Sequence, residues 1–218
     1  MIKNFKRHKK LFWFMGLVAI ASYFSWVFYN KQSLDNEANR LSHFLNLQPG
    51  AVVAEIGAGN GDLTVRIAQH IGPSGKIYST ELNPQQLKAI QNNAKKHNLT
   101  NVQVIQGAVD QTNLPPECCD AIFMRGVYHH FTQPERMNES LQQSLQSQGL
   151  LAIADFPPHW FLNFWKLEGV PENRGGHGIT KELLIEEVTQ AGFEVEQIVD
   201  NWEGNLYNVV FRKTKLGE

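Results

Sequence analysis

The chain has 218 residues, 42% hydrophobic and 19% charged, a composition that excludes an unfolded polymer and leaves enough apolar material for one packed core. The formal net charge of −1 is uneven: Lys3, Lys6, Arg7, Lys9 and Lys10 carry five positive charges, and removing them leaves −6 on the remainder. An acidic body excludes nucleic acid as the expected partner.

The first element in chain order is the uncharged run Leu11–Tyr29, 19 residues long, or about 28 Å as a helix, close to the thickness of a bilayer core. Aromatic residues sit near both of its ends, as at membrane interfaces. Residues 1–30 are therefore expected to be a single-pass N-terminal membrane anchor, with one domain over 31–218. Two alternatives are a buried core helix and a signal peptide cut near Ala19-Ile20-Ala21. Cleavage there would leave Tyr23–Tyr29 exposed on the mature end, which counts against it. Charge bias puts the basic start in the cytoplasm and the body on the periplasmic or exported side.

Leu34, Ala38, Leu41 and Leu45 recur at helical spacing, and Pro49-Gly50 ends that helix. Strands and helices then alternate. Strands are expected at Val52–Ile56, Lys76–Thr80, Val102–Gln106, Ala121–Met124, Leu150–Ala154, Glu194–Val199 and Leu206–Phe211. Helices are expected at Leu63–Ile71, Pro84–His97, Pro134–Gln146 and Lys181–Ala191. This alternation predicts an α/β fold, a Rossmann-like seven-stranded sheet, mostly parallel. The last two strands are joined by a short loop, so they should form an antiparallel terminal hairpin. Cys118 and Cys119 are adjacent and offer neither a disulfide framework nor metal-ligand spacing, so they read as small core residues.

Strand Val52–Ile56 runs into Gly57-Ala58-Gly59-Asn60-Gly61 and then a helix, an arrangement that brings backbone and free helix N–H groups close to a ligand. The third glycine comes one residue earlier than in a dinucleotide fingerprint, and Asp62 would repel a pyrophosphate. Glu55 precedes the turn, and Glu81, at the end of the next strand, is placed to accept hydrogen bonds from ribose hydroxyls.

Glu55-Ile56-Gly57-Ala58-Gly59-Asn60-Gly61 with Glu81 resembles the class I S-adenosylmethionine-dependent methyltransferases over roughly residues 34–213. The resemblance implies S-adenosyl-L-methionine as cofactor, the glycine turn beneath its methionine part, and Glu81 on its ribose. It implies a cofactor site of Glu55, Gly57, Ala58, Gly59, Gly61, Glu81, Leu82, Ala108, Val109 and Arg125. Where the family often has Gly-Asp after the third strand, this chain has Gly107-Ala108, so adenine falls to the backbone near Ala108 or to Asp110.

The run Tyr128-His129-His130-Phe131 after the fourth strand resembles a branch of small methyltransferases that usually carries an acid where Gly126 stands. His129 or His130 is a candidate general base, and Asp155, at the end of the fifth strand, is a third candidate catalytic residue. Adjacent histidines on an extended segment would point opposite ways, so one of the two is expected to face the site. Trp160–Trp165 reads as a pocket wall, a membrane-surface contact or core. The glycine-rich stretch around His177 reads as a lid or a solvated loop. The implied acceptor is a small or lipid-like molecule. The rival readings are a membrane-anchored, non-catalytic cofactor-binding module and an NAD(P)-dependent oxidoreductase.

Overall fold

The computed structural model describes Ser22, Tyr29 and residues 31–158, 168–174 and 177–214. The expected anchor Leu11–Tyr29 lies outside the described residues except for Ser22 and Tyr29, and Trp160–Trp165 lies outside them entirely. Among the described residues no helix is long and apolar enough to cross a membrane. The chain divides into two compact units, Met1–Asn39 and Arg40–Glu218. In the first, residues 31–39 are helical.

The second unit begins with helical residues 40–44 (α1). It continues β1 Val52–Ile56, α2 Asp62–Ile71, β2 Lys76–Glu81, α3 Pro84–Lys96, β3 Val102–Gln106 and β4 Cys119–Arg125. Then come α4 Pro134–Ser144, β5 Leu145–Asp155, α5 Lys181–Gln190, β6 Phe193–Val199 and β7 Tyr207–Lys213. The seven strands form one sheet in the order β3-β2-β1-β4-β5-β7-β6. The pairs among β1 to β5 are parallel, and β7 runs antiparallel to both β5 and β6. This is the expected architecture, hairpin included.

Strand order reverses between β1 and β4, where Glu55 pairs with Phe123 and Ile56 with Met124. Crossovers leave to opposite sides at such a point and open a crevice above the strand ends. Local chemistry fixes the helix starts beside it. Pro84 opens α3 behind Asn83, whose side chain accepts from the N–H groups of Gln85 and Gln86. Thr180 caps α5 by accepting from Leu183 N–H at 3.3 Å.

One face of the sheet presents Ala54, Ile56, Ile122, Met124, Leu151, Ile153, Val209 and Phe211 to Leu141 of α4 and Leu184 and Val188 of α5. Complete burial of an aliphatic side chain contributes about 1.5–3 kcal/mol, so this layer is the main support of the strand ends that carry the site. Two boundaries differ from expectation at one place. Helix α4 stops at Ser144 instead of Gln146, and β5 starts at Leu145 instead of Leu150. The sheet takes over there, because Leu145 already pairs with Cys119. Cys119 is buried and Cys118 half-buried, both as free thiols. The loop before β7 holds Trp202, 1% exposed, with the Arg40 guanidinium 4.1 Å above its ring and Phe44 at 5.6 Å.

Candidate active site

The turn after β1 depends on glycine at two positions. Gly57 has φ +70°, and a Cβ there would lie 2.6 Å from Val127 Cγ2. Gly59 has φ +56° with nothing within 4 Å of where a Cβ would point, so its backbone is left open to a ligand. The turn is held by hydrogen bonds from Ala58 N–H to Thr80 O at 2.9 Å and from Gly61 N–H to Ala58 O at 2.9 Å. Gly61 then precedes the first residue of α2.

Glu81 locks the turn to the end of β2. Its Oε2 accepts from Gly59 N–H at 3.0 Å, and its Oε1 accepts from Leu82 N–H at 2.7 Å and Asn83 N–H at 3.2 Å. Each carboxylate oxygen takes about two donors, so Oε2 keeps room for one more. A cavity of about 530 Å³ opens beside it. Of the sequence candidates, Gly57, Gly59, Glu81, Leu82, Ala108, Val109, Arg125 and His130 line this cavity. Leu82 and Val109 are among the exposed large apolar residues.

Glu55, Ala58, Gly61, His129 and Asp155 lie behind that lining. Glu55 is 5% exposed and accepts from the Thr64 hydroxyl, which also meets the Ser79 hydroxyl at 2.7 Å. It therefore ties β1 to α2 and β2 beneath the turn. Asp110 pairs with Arg136 at 3.0 Å and does not line the cavity, whereas Ala108 does.

At the other end of the cavity the histidine segment departs from the expected extended conformation, while one of the two residues, His130, lines the cavity. Tyr128–His130 is a single turn of 3-10 helix, so the segment is not extended. The imidazoles of His129 and His130 accordingly stand together, their centroids 3.9 Å apart. His129 is 3% exposed and Asp155 0% exposed. Asp155 Oδ1 lies 2.8 Å from His129 Nδ1, and Asp155 also accepts from the backbone N–H of His129 at 3.1 Å and of Phe156 at 2.9 Å. A carboxylate only accepts, so Nδ1 carries a proton. Nε2 of the same ring is buried without a hydrogen-bond partner among the described residues.

Phe156 and His177 complete the chamber, with ring centroids 4.6 and 4.8 Å from that of His129. Desolvation, and then the imidazoles of His129 and His177, hold the pKa of His130 down to about 4. Its ring is therefore neutral near pH 7. The His177 segment is pinned by Ile179 N–H to Phe156 O at 3.0 Å and by the Tyr207 hydroxyl to Ile179 O at 2.8 Å.

Sequence reading missed a second polar layer. Glu187 Oε1 accepts from Arg174 Nη1 at 2.6 Å, and Glu187 Oε2 accepts from the Tyr128 hydroxyl at 3.0 Å. Asn138 Nδ2 donates to the Tyr128 oxygen at 2.8 Å and to Glu187 O at 3.1 Å. Burial and the Glu187 charge push the Tyr128 phenol well above its usual pKa, so it stays a donor. This network fixes the histidine turn to α4 and α5. The available signal was Asn138 beside the apolar positions Met137 and Leu141 of α4. Among the described residues no group of three or more His, Cys, Asp or Glu is arranged to hold a metal ion.

Residues 47–213 match the sequence profile of a methyltransferase domain. A ubiquinone/menaquinone biosynthesis C-methyltransferase of Hahella chejuensis is 25% identical over 111 residues, 50% of this chain and 45% of that protein. A probable cobalt-precorrin-6B C(15)-methyltransferase (decarboxylating) of Sulfolobus acidocaldarius is 32% identical over 79 residues, 36% of this chain and 41% of that protein. Each match therefore spans less than half of the curated relative. The solved structure of a SAM-dependent methyltransferase from Aquifex aeolicus superposes with a TM-score of 0.70 at 21% identity, covering 84% of this chain and 92% of that one. At that identity the likeness is one of fold.

Proposed function

Since the chain belongs to the methyltransferase-domain family, we propose that it binds S-adenosyl-L-methionine along β1, β2 and β3 and methylates a small or membrane-associated acceptor beside β4 and β5. The observation that carries this reading is Glu81, held by three backbone N–H groups at the cavity wall with one acceptor place left on Oε2. The residues present fit the cofactor. Oε2 has room for a ribose hydroxyl, the open face of Gly59 accommodates the methionine part, and Leu82, Ala108 and Val109 offer an apolar edge to adenine. Arg125, at the cavity wall, suits the methionine carboxylate. Glu55, Ala58 and Gly61 shape the turn from behind.

When bound, the cofactor supplies an already activated methyl group, so holding the acceptor in line accounts for most of the acceleration. On the acceptor side, His129, oriented by Asp155, takes the proton, and His130 serves as a neutral wall. The lipophilic side of the proposal draws on the quinone-pathway name of the Hahella relative and on Leu11–Tyr29, which we assign as a membrane anchor from its sequence. The side of the membrane that the domain occupies must be the one supplied with cofactor, and a cytosol-only reporter fused to the C-terminus identifies it. Alkaline carbonate should leave the full-length chain in the membrane pellet, and its release to the supernatant would overturn the anchor.

Calorimetric titration tests the cofactor. Saturable binding of S-adenosyl-L-methionine without binding of NAD is expected. The reverse result would turn the reading to an oxidoreductase.

A further inference from the structure

The turn after β3 carries a glutamine that the cofactor reading leaves unused. Where the family often has an acid, position 108 is alanine. A hydrogen bond from Ala108 N–H to Gln111 O at 3.3 Å closes a turn over Val109-Asp110, so Gln111 comes back beside Ala108. Both residues line the cavity. Asp110 does not, and its carboxylate is engaged with Arg136 at 3.0 Å.

The backbone on either side of Gln111 is anchored. Thr112, 2% exposed, donates its N–H to Ser140 Oγ at 3.0 Å, and its hydroxyl meets those of Ser140 and Ser144 at 3.0 and 3.1 Å. Asn113 Nδ2 donates to Gln106 O at 2.9 Å, and Gln106 Nε2 donates to Leu82 O at 2.8 Å. These bonds tie the turn to the ends of β2 and β3. Gln111 itself is exposed, and its carboxamide has no hydrogen-bond partner among the described residues. A braced turn thus holds one uncommitted amide, donor and acceptor together, at the cavity wall.

We propose that this carboxamide reads the purine base of the cofactor, and that it turns over to take a 6-oxo purine as readily as the 6-amino one. The inference rests on the cofactor reading above and adds a second ligand class, the deaminated cofactor, to the same site.

Donor and acceptor matching leads to this class. The edge of adenine farthest from the ribose offers an amino donor at N6 and a lone pair at N1. Hypoxanthine offers the reverse, a carbonyl oxygen at C6 and a proton on N1. A carboxamide has an acceptor oxygen and a donor NH2 on neighbouring arms, so a half-turn of its end group matches it to either edge. That terminal torsion is broad and two-fold, so the half-turn costs little. A carboxylate only accepts, and it would set its oxygens against the carbonyl at C6. Rejecting one of two similar ligands takes a repulsive group of that kind. The described cavity lining holds a single carboxylate, Glu81, and three backbone N–H groups fix it at the end of β2. The apolar contacts of Leu82, Ala108 and Val109 do not distinguish the two bases, which share one ring shape.

The test is calorimetric binding to the full-length chain in detergent. The probes are S-adenosyl-L-homocysteine and its deaminated form, S-inosyl-L-homocysteine. Their Kd values should agree within about threefold. Gln111→Met keeps the length of the side chain and removes both polar arms. It should weaken both probes roughly fivefold, the net worth of one hydrogen bond. Gln86→Met, at the other glutamine of the described lining, should not reproduce that loss. In the unaltered chain, the side-chain amide resonances of Gln111 should move on adding either probe. Failure of both probes to bind would remove the cofactor reading itself. Binding of the adenine probe with the deaminated one at least about tenfold weaker, or affinities that Gln111→Met leaves unchanged, would overturn this inference alone.

Discussion

The two halves of the cavity are built differently. The β1–β2 half is made of backbone: three N–H groups converge on one carboxylate, and the turn between them needs two glycines at positive φ. The β4–β5 half is made of side chains brought together from far apart in sequence: His129 meets Asp155 across 26 residues, and Tyr128 meets Glu187 across 59. A backbone site tolerates side-chain change and fails when φ or Cβ space is violated. A side-chain site fails when one member of a buried polar set is removed. The first geometry suits a ligand that does not vary, and the second suits one that does.

Substitutions can sharpen or break this contrast. The largest effect is expected for Glu187→Ala. It would leave Arg174, 2% exposed, as an uncompensated buried cation at a cost of about 3–5 kcal/mol, read as a fall in the urea midpoint. Replacing both partners, Arg174→Met with Glu187→Leu, should recover most of that loss, and a double variant as unstable as the single one would contradict the pairing. Next comes Gly57→Ala, where the left-handed backbone and the approach to Val127 together should cost about 2–4 kcal/mol in the same measurement.

Glu81→Gln should lower stability by about 1–3 kcal/mol, since its NH2 faces backbone donors that a carboxylate oxygen accepted, and should weaken S-adenosyl-L-methionine about tenfold, or about 1.4 kcal/mol, by calorimetry. An unchanged Kd would remove Glu81 from the cofactor site. The smallest effect concerns pH. His130 has a folded pKa of about 4 against an ordinary 6.5, so the unfolded chain binds its proton more readily. The stability tied to its neutral form is present above pH 6.5 and declines as pH falls toward 4. His130→Asn should flatten that decline in urea titrations across the same window. An unaltered slope would mean that the ring is not held neutral by its neighbours.

The same division explains what could be read in advance. The strand–helix alternation, the terminal hairpin and the glycine turn with Glu81 were legible because each depends on local pattern: β-branched runs, glycine spacing and an acid at a strand end. Helix α4 and β5 were misjudged where a sheet partner, Cys119, outranks helical continuation at Leu145. The conformation of the histidine segment was misjudged for a related reason. An extended segment was assumed, whereas Tyr128 is drawn inward to Glu187 and Asn138 and winds the chain into a 3-10 turn. Arg174 and Glu187 carry no local signature, since each makes sense only beside the other. Asp155 was legible as a residue, but its three donors depend on how the turn folds back over β5.

The most direct test of this division is an amide NMR titration of the full-length chain with S-adenosyl-L-methionine in the absence of acceptor. The largest shifts should fall on Gly59, Leu82, Ala108 and Val109, with small ones at His129 and none along the groove at the opposite strand ends lined by Lys95, Asn98 and Asn101. Largest shifts in that groove, or at His129 and Phe156 with Gly59 and Leu82 unmoved, would contradict the assignment of the backbone-built half to the cofactor.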